Sequence, residues 1–302
     1  MGFLFFEKNK ILCMLAVFFC LLMMVFPEIT VGASKEAICI WMNAVVPSLL
    51  PFMIIADYIK RTGIGSLSDS VFYPVLMAVL SGYPMGAKLA GDRYRDGLTD
   101  EQGLYRLLCY AMITGPAFLI GGVGVTFYQS RLAGYILTVS HYGGIFSCGI
   151  LLGGGGVHET KTNGKTRMQQ GQISDTPFTD CILQSFRTLG IVLAYIILFM
   201  IAADFVDSTG LLEGLPEAGR TFCKGLLEMT VGCSEIAACG AGLKMKLVLS
   251  SFVISFGGLS VMGQTMSMLA DCPVTLWQIL KIKVIHGLCS AIWTFIICAF
   301  MV

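Results

Sequence analysis

Long apolar runs with almost no charge limit what this chain can fold into. They occur at 11–27, 37–56, 70–87, 107–130, 132–152, 188–203, 247–270 and 284–302. A helix that crosses a bilayer needs roughly 20 apolar residues. Charged residues make up 13% of the chain, whereas a typical soluble domain has about 25%. The sequence therefore predicts an all-α, polytopic membrane protein.

Charge and cysteine spacing argue against several other functions. The net charge is +1, and no basic stripe indicates nucleic-acid binding. The 12 cysteines show no CxxC or Cys/His ligand spacing, so neither a disulfide framework nor a zinc site is expected. No catalytic carboxylate pair, histidine-based metal motif or serine–histidine arrangement stands out. We therefore expect no enzyme activity, no cofactor and no metal.

The runs fall into an N-terminal helix, two halves and a polar linker. Residues 1–34 predict a retained signal-anchor helix, with a cleaved signal peptide as the alternative. The polar stretch 156–177 has no hydrophobic period and predicts a flexible cytoplasmic linker. This linker separates a first repeat at 35–155 from a second repeat at 178–302.

Each half shows the same order of parts: a long apolar helix, a short glycine-interrupted segment, a segment with small residues at its centre, and a full span. The ranges are 37–60, 71–91, 114–124 and 132–153, then 180–204, 222–242, 255–263 and 276–301. If the short segments are re-entrant hairpins, each half crosses three times and the halves run antiparallel. Many secondary transporters have this inverted-repeat plan. We predict about seven spanning helices plus two re-entrant helical hairpins.

The positions of basic residues are consistent with this topology. With a cytoplasmic N-terminus, most lysines and arginines fall on or near the inside, as the positive-inside tendency requires. Lys281 and Lys283 belong to that inside group, whereas Lys244 and Lys246 fall outside.

Helix breakers stand at membrane depth in the stretch SGYPMGAK at 81–88. In hydrocarbon a broken helix is tolerated only where it is buried in protein or lines a wet cavity. A break exposes a helix N-terminus, whose free N–H groups and partial positive charge suit an anion. Lys88, four residues after Pro84, would add an ammonium. Alternatively, the small residues only permit close helix packing, and Lys88 extends to the interface.

The predicted substrate-binding residues come from the breaks in both halves. They are Ser81, Gly82, Tyr83, Pro84, Lys88, Thr114, Gly115, Pro116, Ser234, Glu235, Ser255, Gly257, Gly258, Ser260 and Gln264. Glu235 is singled out because an intramembrane carboxylate is costly and usually functional. It would couple a proton or cation, or bind substrate, unless it lies in water at a segment end. His141 and His286 are expected to be packed, hydrogen-bonded histidines.

Three groups of motifs resemble the YlbJ-type sporulation integral membrane proteins. They are SGYPMGAKLAGDRY, TGPAFLIGGVGV with GYILTVSHY, and SFGGLSVMGQTMSML with KIKVIHGLCSAI, in the family's order between 81 and 290. That family lies within the group carrying the nucleoside recognition, or Gate, domain, and its plan resembles concentrative nucleoside transporters. The resemblance implies a role in sporulation and movement of dipicolinic acid into the forespore across its outer membrane.

The sequence thus predicts a secondary transporter or permease for a small anionic aromatic, with dipicolinic acid favoured. A nucleoside or nucleobase transporter and a non-transporting membrane scaffold or receptor are the alternatives. An anionic substrate favours Lys88 in the cavity, whereas a neutral nucleoside favours groups such as Glu235 and Gln264. The expected partners are a small-molecule substrate and the lipid bilayer, with homo-oligomerisation left open and no nucleic acid.

Overall fold

A computed structural model describes residues 2–62, 70–153 and 177–301, and these contain helices, turns and irregular segments but no strand. Five helical stretches in the described residues are long and apolar enough to span a bilayer: Pro27–Ile59, Arg131–Gly153, Phe178–Ser208, Leu243–Met268 and Leu276–Met301. The predicted all-α polytopic class is confirmed. Residues 156–176 of the predicted linker lie outside the described residues.

We number the α-helices in chain order. The first half contains α1 (Gly2–Val25), α2 (Pro27–Ile40), α3 (Val46–Thr62), α4 (Tyr73–Ser81), α5 (Tyr83–Arg95), α6 (Glu101–Ala111) and α7 (Arg131–Gly153). Two π-helical segments, Trp41–Val45 and Phe118–Phe127, join α2 to α3 and precede α7. The second half contains α8 (Pro177–Ser208), α9 (Glu217–Leu227), α10 (Met229–Ala238), α11 (Leu243–Phe256), α12 (Gly258–Met268) and α13 (Leu276–Met301).

Two short helix pairs correspond to the predicted re-entrant segments. The first hairpin, α4 and α5, turns at Gly82, whose φ of +83° favours glycine. The second hairpin, α9 and α10, turns at Glu228 and begins at Glu217, earlier than the predicted 222–242 segment. Its two helices pack closely, because a Cβ on Gly232 would overlap the Cα of Gly225.

Two crossing segments are interrupted near their centres. In the first half, α6 ends at Ala111 and residues 112–115 are irregular before helical structure resumes. In the second half, Gly257 separates α11 from α12 with a φ of +85°, and Gly258 follows with a φ of +72°. The first of these crossings is therefore divided into short helices, which is one reason why fewer than seven long spans are found.

The two halves interlock through their long helices. The last helix of the first half, α7, packs along α13, and α13 also packs against α11. At this contact a Cβ on Gly144 would overlap the Oγ of Ser290, so the helices approach closely through small residues. On the other side, α2 and α3 pack against α8. This arrangement brings the breaks of the two halves together.

Candidate functional site

A small cavity of about 60 Å³ lies where the breaks meet. The breaks contribute Ser81, Gly82, Tyr83, Thr114, Gly115, Glu228, Met229 and Thr230, with Val261 and Gln264 from α12. The remaining wall comes from Val45, Leu49, Met53, Phe118, Thr188, Leu189 and Val192. The cavity is therefore mainly apolar, with a few polar groups supplied by the breaks.

Two hydroxyl groups on the first-half side of the cavity are buried without a hydrogen bond to the parts of the chain that the structure describes. Ser81 and Thr114 are each 3% exposed, and within the described residues neither side-chain oxygen makes a hydrogen bond. Buried polar groups are nearly always paired. Both hydroxyls line the cavity, so a bound solute can supply the missing partners.

The first hairpin also presents an uncapped helix N-terminus to the cavity. Gly82 is the N-cap of α5 and provides no side-chain hydrogen bond. Because Pro84 has no N–H group, Tyr83 and Met85 carry the first-turn N–H groups that lack an intrahelical acceptor. These N–H groups and the helix dipole favour a negatively charged group at this place.

Glu228 occupies the equivalent place in the second hairpin. Its side chain is buried, and Oε2 accepts a hydrogen bond from the Val231 N–H at 2.7 Å, which caps α10. Its Oε1 accepts from the Ser260 hydroxyl at 3.3 Å. The protein thus fills the second helix N-terminus with its own carboxyl group, and this group borders the cavity.

A buried polar network behind the cavity joins the two interrupted crossings. The Thr114 N–H donates to Nε2 of His141 at 2.9 Å, so that nitrogen carries no proton. Nδ1 of His141 therefore donates to the Ser255 hydroxyl at 2.8 Å, which in turn donates to Ser290 at 2.8 Å. His141 is a neutral histidine in this network, and it fixes the first-half break against α11.

Tyr83 connects the same network to the cavity. Its ring lines the cavity, and its hydroxyl donates to the carbonyl oxygen of Ile254. The ammonium of Lys283 lies 3.6 Å from the centre of the Tyr83 ring, within the distance of a cation–π contact. Lys283 is fully buried in α13, close to the turn of the first hairpin.

The predicted site residues divide into three groups. Six line the cavity, namely Ser81, Gly82, Tyr83, Thr114, Gly115 and Gln264. Five lie at its edge or behind it: Ser255, Gly257, Gly258, Ser260 and Pro116. Pro84 lies in the first turn of α5, and Lys88, Ser234 and Glu235 are half-buried elsewhere on the hairpins.

Glu235 belongs to a different charged cluster, at the start of the second hairpin. Its Oε1 lies 3.0 Å from Nζ of Lys224, which also lies 3.4 Å from Oδ1 of Asp204 and 3.3 Å from Oδ2 of Asp207. Glu235 does not line the central cavity as described. The intramembrane carboxylate at the cavity is Glu228 instead.

The sequence patterns did not single out Glu228, Lys283 and the cavity residue Thr188 as site residues. Glu228 could have been found, because it is a charged residue inside the apolar stretch GLLEMTVG. Lys283 precedes His286 and Ser290 by three and seven residues, a spacing that puts all three on one helix face. Among the described residues, no three His, Cys, Asp or Glu side chains are grouped as a metal ion would require.

Fold and site together define a polytopic all-α membrane protein in which helix breaks border a central cavity. The chain is similar to the sporulation integral membrane protein YlbJ of Bacillus subtilis strain 168. The two are 24% identical over an alignment 318 positions long, which covers 90% of this chain and 78% of that protein. This match confirms the predicted relationship to the YlbJ-type sporulation integral membrane proteins. No family model matches the chain, and no solved structure matches it.

Proposed function

We propose that the protein is a secondary transporter whose substrate binds in the central cavity. The observation that carries this proposal is that chain breaks from both halves border one cavity. Interrupted helices with polar ends at membrane depth are typical of transporter binding sites at a repeat interface. A scaffold would gain nothing from such breaks, since each leaves backbone groups that must be satisfied.

The substrate that we propose is dipicolinic acid, carried across the outer forespore membrane into the forespore. Its two carboxylates suit the open N-terminus of α5 and the unpartnered hydroxyls of Ser81 and Thr114. Glu228 shows within this protein how a carboxyl group caps such a helix end. The apolar side chains of Met53 and Phe118 provide walls for a pyridine ring. The name of the relative assigns that protein to sporulation, and a sporulation role is compatible with this substrate.

We expect the proposed transport to depend on protonation of Glu228. A dicarboxylate in this cavity places negative charge near the Glu228 carboxyl group. Two like charges 4 Å apart repel by about 4 kcal/mol at an effective dielectric constant of 20. Protonation of Glu228 removes this repulsion. We therefore expect dipicolinate to be carried together with a proton.

A nucleoside or nucleobase transporter remains the second candidate, because the cavity contains the groups that a neutral substrate would use. Glu228 and Gln264 offer a carboxyl and an amide for base edges. Lys88, which an anionic substrate was predicted to meet, is not among the described residues that line the cavity. Competition between the two substrate classes separates these candidates.

The test is uptake by proteoliposomes that contain the purified full-length protein. We expect uptake of labelled dipicolinate to accelerate when the lumen is alkaline relative to the outside, and nucleosides not to compete. Glu228→Gln should keep dipicolinate exchange but lose the acceleration by the proton gradient. Glu213→Gln, at an exposed loop position, is the matched control and should behave as the wild type.

Other outcomes would decide against parts of the proposal. Nucleoside uptake without dipicolinate uptake would establish the second candidate. Absence of both uptake and binding for either class would favour a scaffold or receptor. A full response of Glu228→Gln to the gradient would remove Glu228 as the coupling group while leaving the transport proposal intact.

A further inference from the structure

Lys283 is a buried lysine that the proposed substrate site does not use. Its side chain is 0% exposed, and the residue is not part of the cavity wall among the described residues. Burying an unpaired charge is costly, so such a group needs compensating partners. Within the described parts of the chain, no carboxylate lies within ion-pair distance of its ammonium.

The partners of Lys283 are the ends of two interrupted helices. Its Nζ donates to the carbonyl oxygen of Met112, which follows the last residue of α6, at 3.2 Å. It also lies 3.6 Å from the position that a Cβ on Gly257 would occupy, directly after α11. Both are C-terminal ends, where free carbonyl groups and the helix dipole concentrate negative potential.

The face of the Tyr83 ring completes this cation environment. The Tyr83 hydroxyl is directed to the carbonyl oxygens of Ile254 and Ser255 in the last turn of α11. The lysine therefore lies between the two breaks and behind an aromatic side chain that borders the cavity.

In transporters with discontinuous helices, unwound backbone carbonyls and half-helix C-termini coordinate the coupling sodium ion. We propose that the ammonium of Lys283 takes the place of this sodium ion, so that the protein carries its own tethered cation and needs no sodium. This inference rests on the proposed transport function and specifies its ion requirement.

The other titratable groups around Lys283 do not compete for this role. His141 accepts from the Thr114 N–H and is neutral, and His286 donates from Nε2 to the carbonyl oxygen of His141 at 3.0 Å. Tyr83 donates its hydroxyl proton to a carbonyl, and the Cys148 thiol donates to the Ile282 carbonyl. None of these four groups supplies a negative charge in this arrangement.

The test measures thermal unfolding of the purified full-length protein without substrate, so it does not depend on transport. Sodium chloride, methylammonium chloride and choline chloride are compared at one ionic strength. We expect the wild type to unfold at the same temperature in all three salts. Lys283→Ala, which vacates the position, should unfold about 2–4 °C higher in sodium or methylammonium than in choline. Lys281→Ala, at an exposed position on the same helix, should show no such difference.

Two results would overturn the inference. The first is stabilisation of the wild type by sodium over choline, because the site would then still bind the free ion. The second is a Lys283→Ala protein that unfolds at one temperature in all three salts. If Lys283→Ala does not fold, the unfolding temperature of Lys283→Met is compared with that of Lys281→Met. We expect Lys283→Met to unfold at the lower temperature, and equal temperatures would show that no cation is needed at this position.

Discussion

The two hairpins have the same backbone plan but opposite chemistry at their turns. In the first hairpin, Gly82 leaves the N-terminus of α5 uncapped, and the neighbouring hydroxyl of Ser81 has no partner among the described residues. In the second hairpin, Glu228 caps α10 through the Val231 N–H and accepts from Ser260. One helix end is thus available to a solute, and the other is already satisfied by the protein.

The two turns place different chemical groups at the cavity. Both turns create a helix N-terminus at the cavity because each half breaks at the corresponding place. The N-cap residue, Gly82 at one turn and Glu228 at the other, decides whether that helix end is left uncapped or is capped by a carboxyl group. Substitutions at the two turns and at their contacts test this contrast.

The largest effect is expected for Gly258→Ala, which disturbs the contact between the second hairpin and α12. Its Cβ would lie 3.0 Å from the carbonyl oxygen of Leu227 and 3.0 Å from the amide nitrogen of Met229, and the residue has a φ of +72°. An alanine in this backbone region costs about 1–3 kcal/mol, to which the backbone contacts add. We expect a large fall in thermal stability and loss of uptake.

The control for this substitution is Gly190→Ala in α8, where an added Cβ meets nothing within 4 Å. Alanine should be favoured there by up to about 1 kcal/mol. Gly149 is unsuitable as a control because the Tyr110 ring occupies the space of its Cβ. Wild-type stability and uptake in Gly258→Ala would show that the second hairpin does not need this close approach.

The next effect concerns the carboxyl group that fills the second turn. Glu228→Ala removes the cap of α10 and leaves the Val231 N–H and the Ser260 hydroxyl without this acceptor. Loss of an N-cap costs about 0.5–2 kcal/mol. Thermal unfolding should show this loss, and Glu228→Gln should recover much of it. Equal stability of Glu228→Ala and the wild type would contradict the capping role.

A smaller effect is expected at the turn of the first hairpin, where a substitution should lower substrate affinity without lowering stability. Ser81→Ala removes a buried hydroxyl that lacks a partner in the described structure, so the substrate-free protein should be as stable as the wild type or more stable. Substrate affinity should fall by the value of one hydrogen bond, about 0.5–1.5 kcal/mol. Unfolding curves with and without dipicolinate measure both quantities. A loss of stability together with unchanged affinity would assign Ser81 to packing.

The smallest effect is expected for Lys88→Met. A lysine in contact with a substrate carboxylate would contribute about 1.5–3 kcal/mol, or roughly tenfold to a hundredfold in affinity. Lys88 is half-buried on α5 and is not among the described residues of the cavity wall, so we now expect less than about a threefold change, since no such bond is made. Binding titrations with dipicolinate measure the affinity of Lys88→Met and of the wild type. A tenfold loss of affinity would show that Lys88 contacts the substrate.

Much of the candidate site could be predicted because a helix break in an apolar segment requires residues that interrupt a helix, and these can be read from the sequence. SGYP, TGP and SFGG each contain residues that interrupt a helix, and Ser81, Thr114 and Gly257 lie where those interruptions occur. The second hairpin was harder to predict because its turn has no glycine or proline at the break. Glu228 ends α9 with an extended backbone conformation, which leaves no mark in the sequence. The predicted polar site in this hairpin was therefore the more polar sequence around Glu235.

The helical class, the order of segments in each half and the positions of three breaks follow from the sequence alone. They depend on apolar length and on backbone preferences, which are local properties of the chain. Which charged groups face the cavity depends instead on the tertiary fold. Lys283 and Lys88 both have apolar neighbours in the sequence, yet Lys283 is buried beneath Tyr83 and Lys88 is not part of the cavity wall described. A side chain's direction depends on how helices from the two halves are rotated against each other, and that rotation is set by contacts between residues more than 100 positions apart, such as Lys283 with Met112.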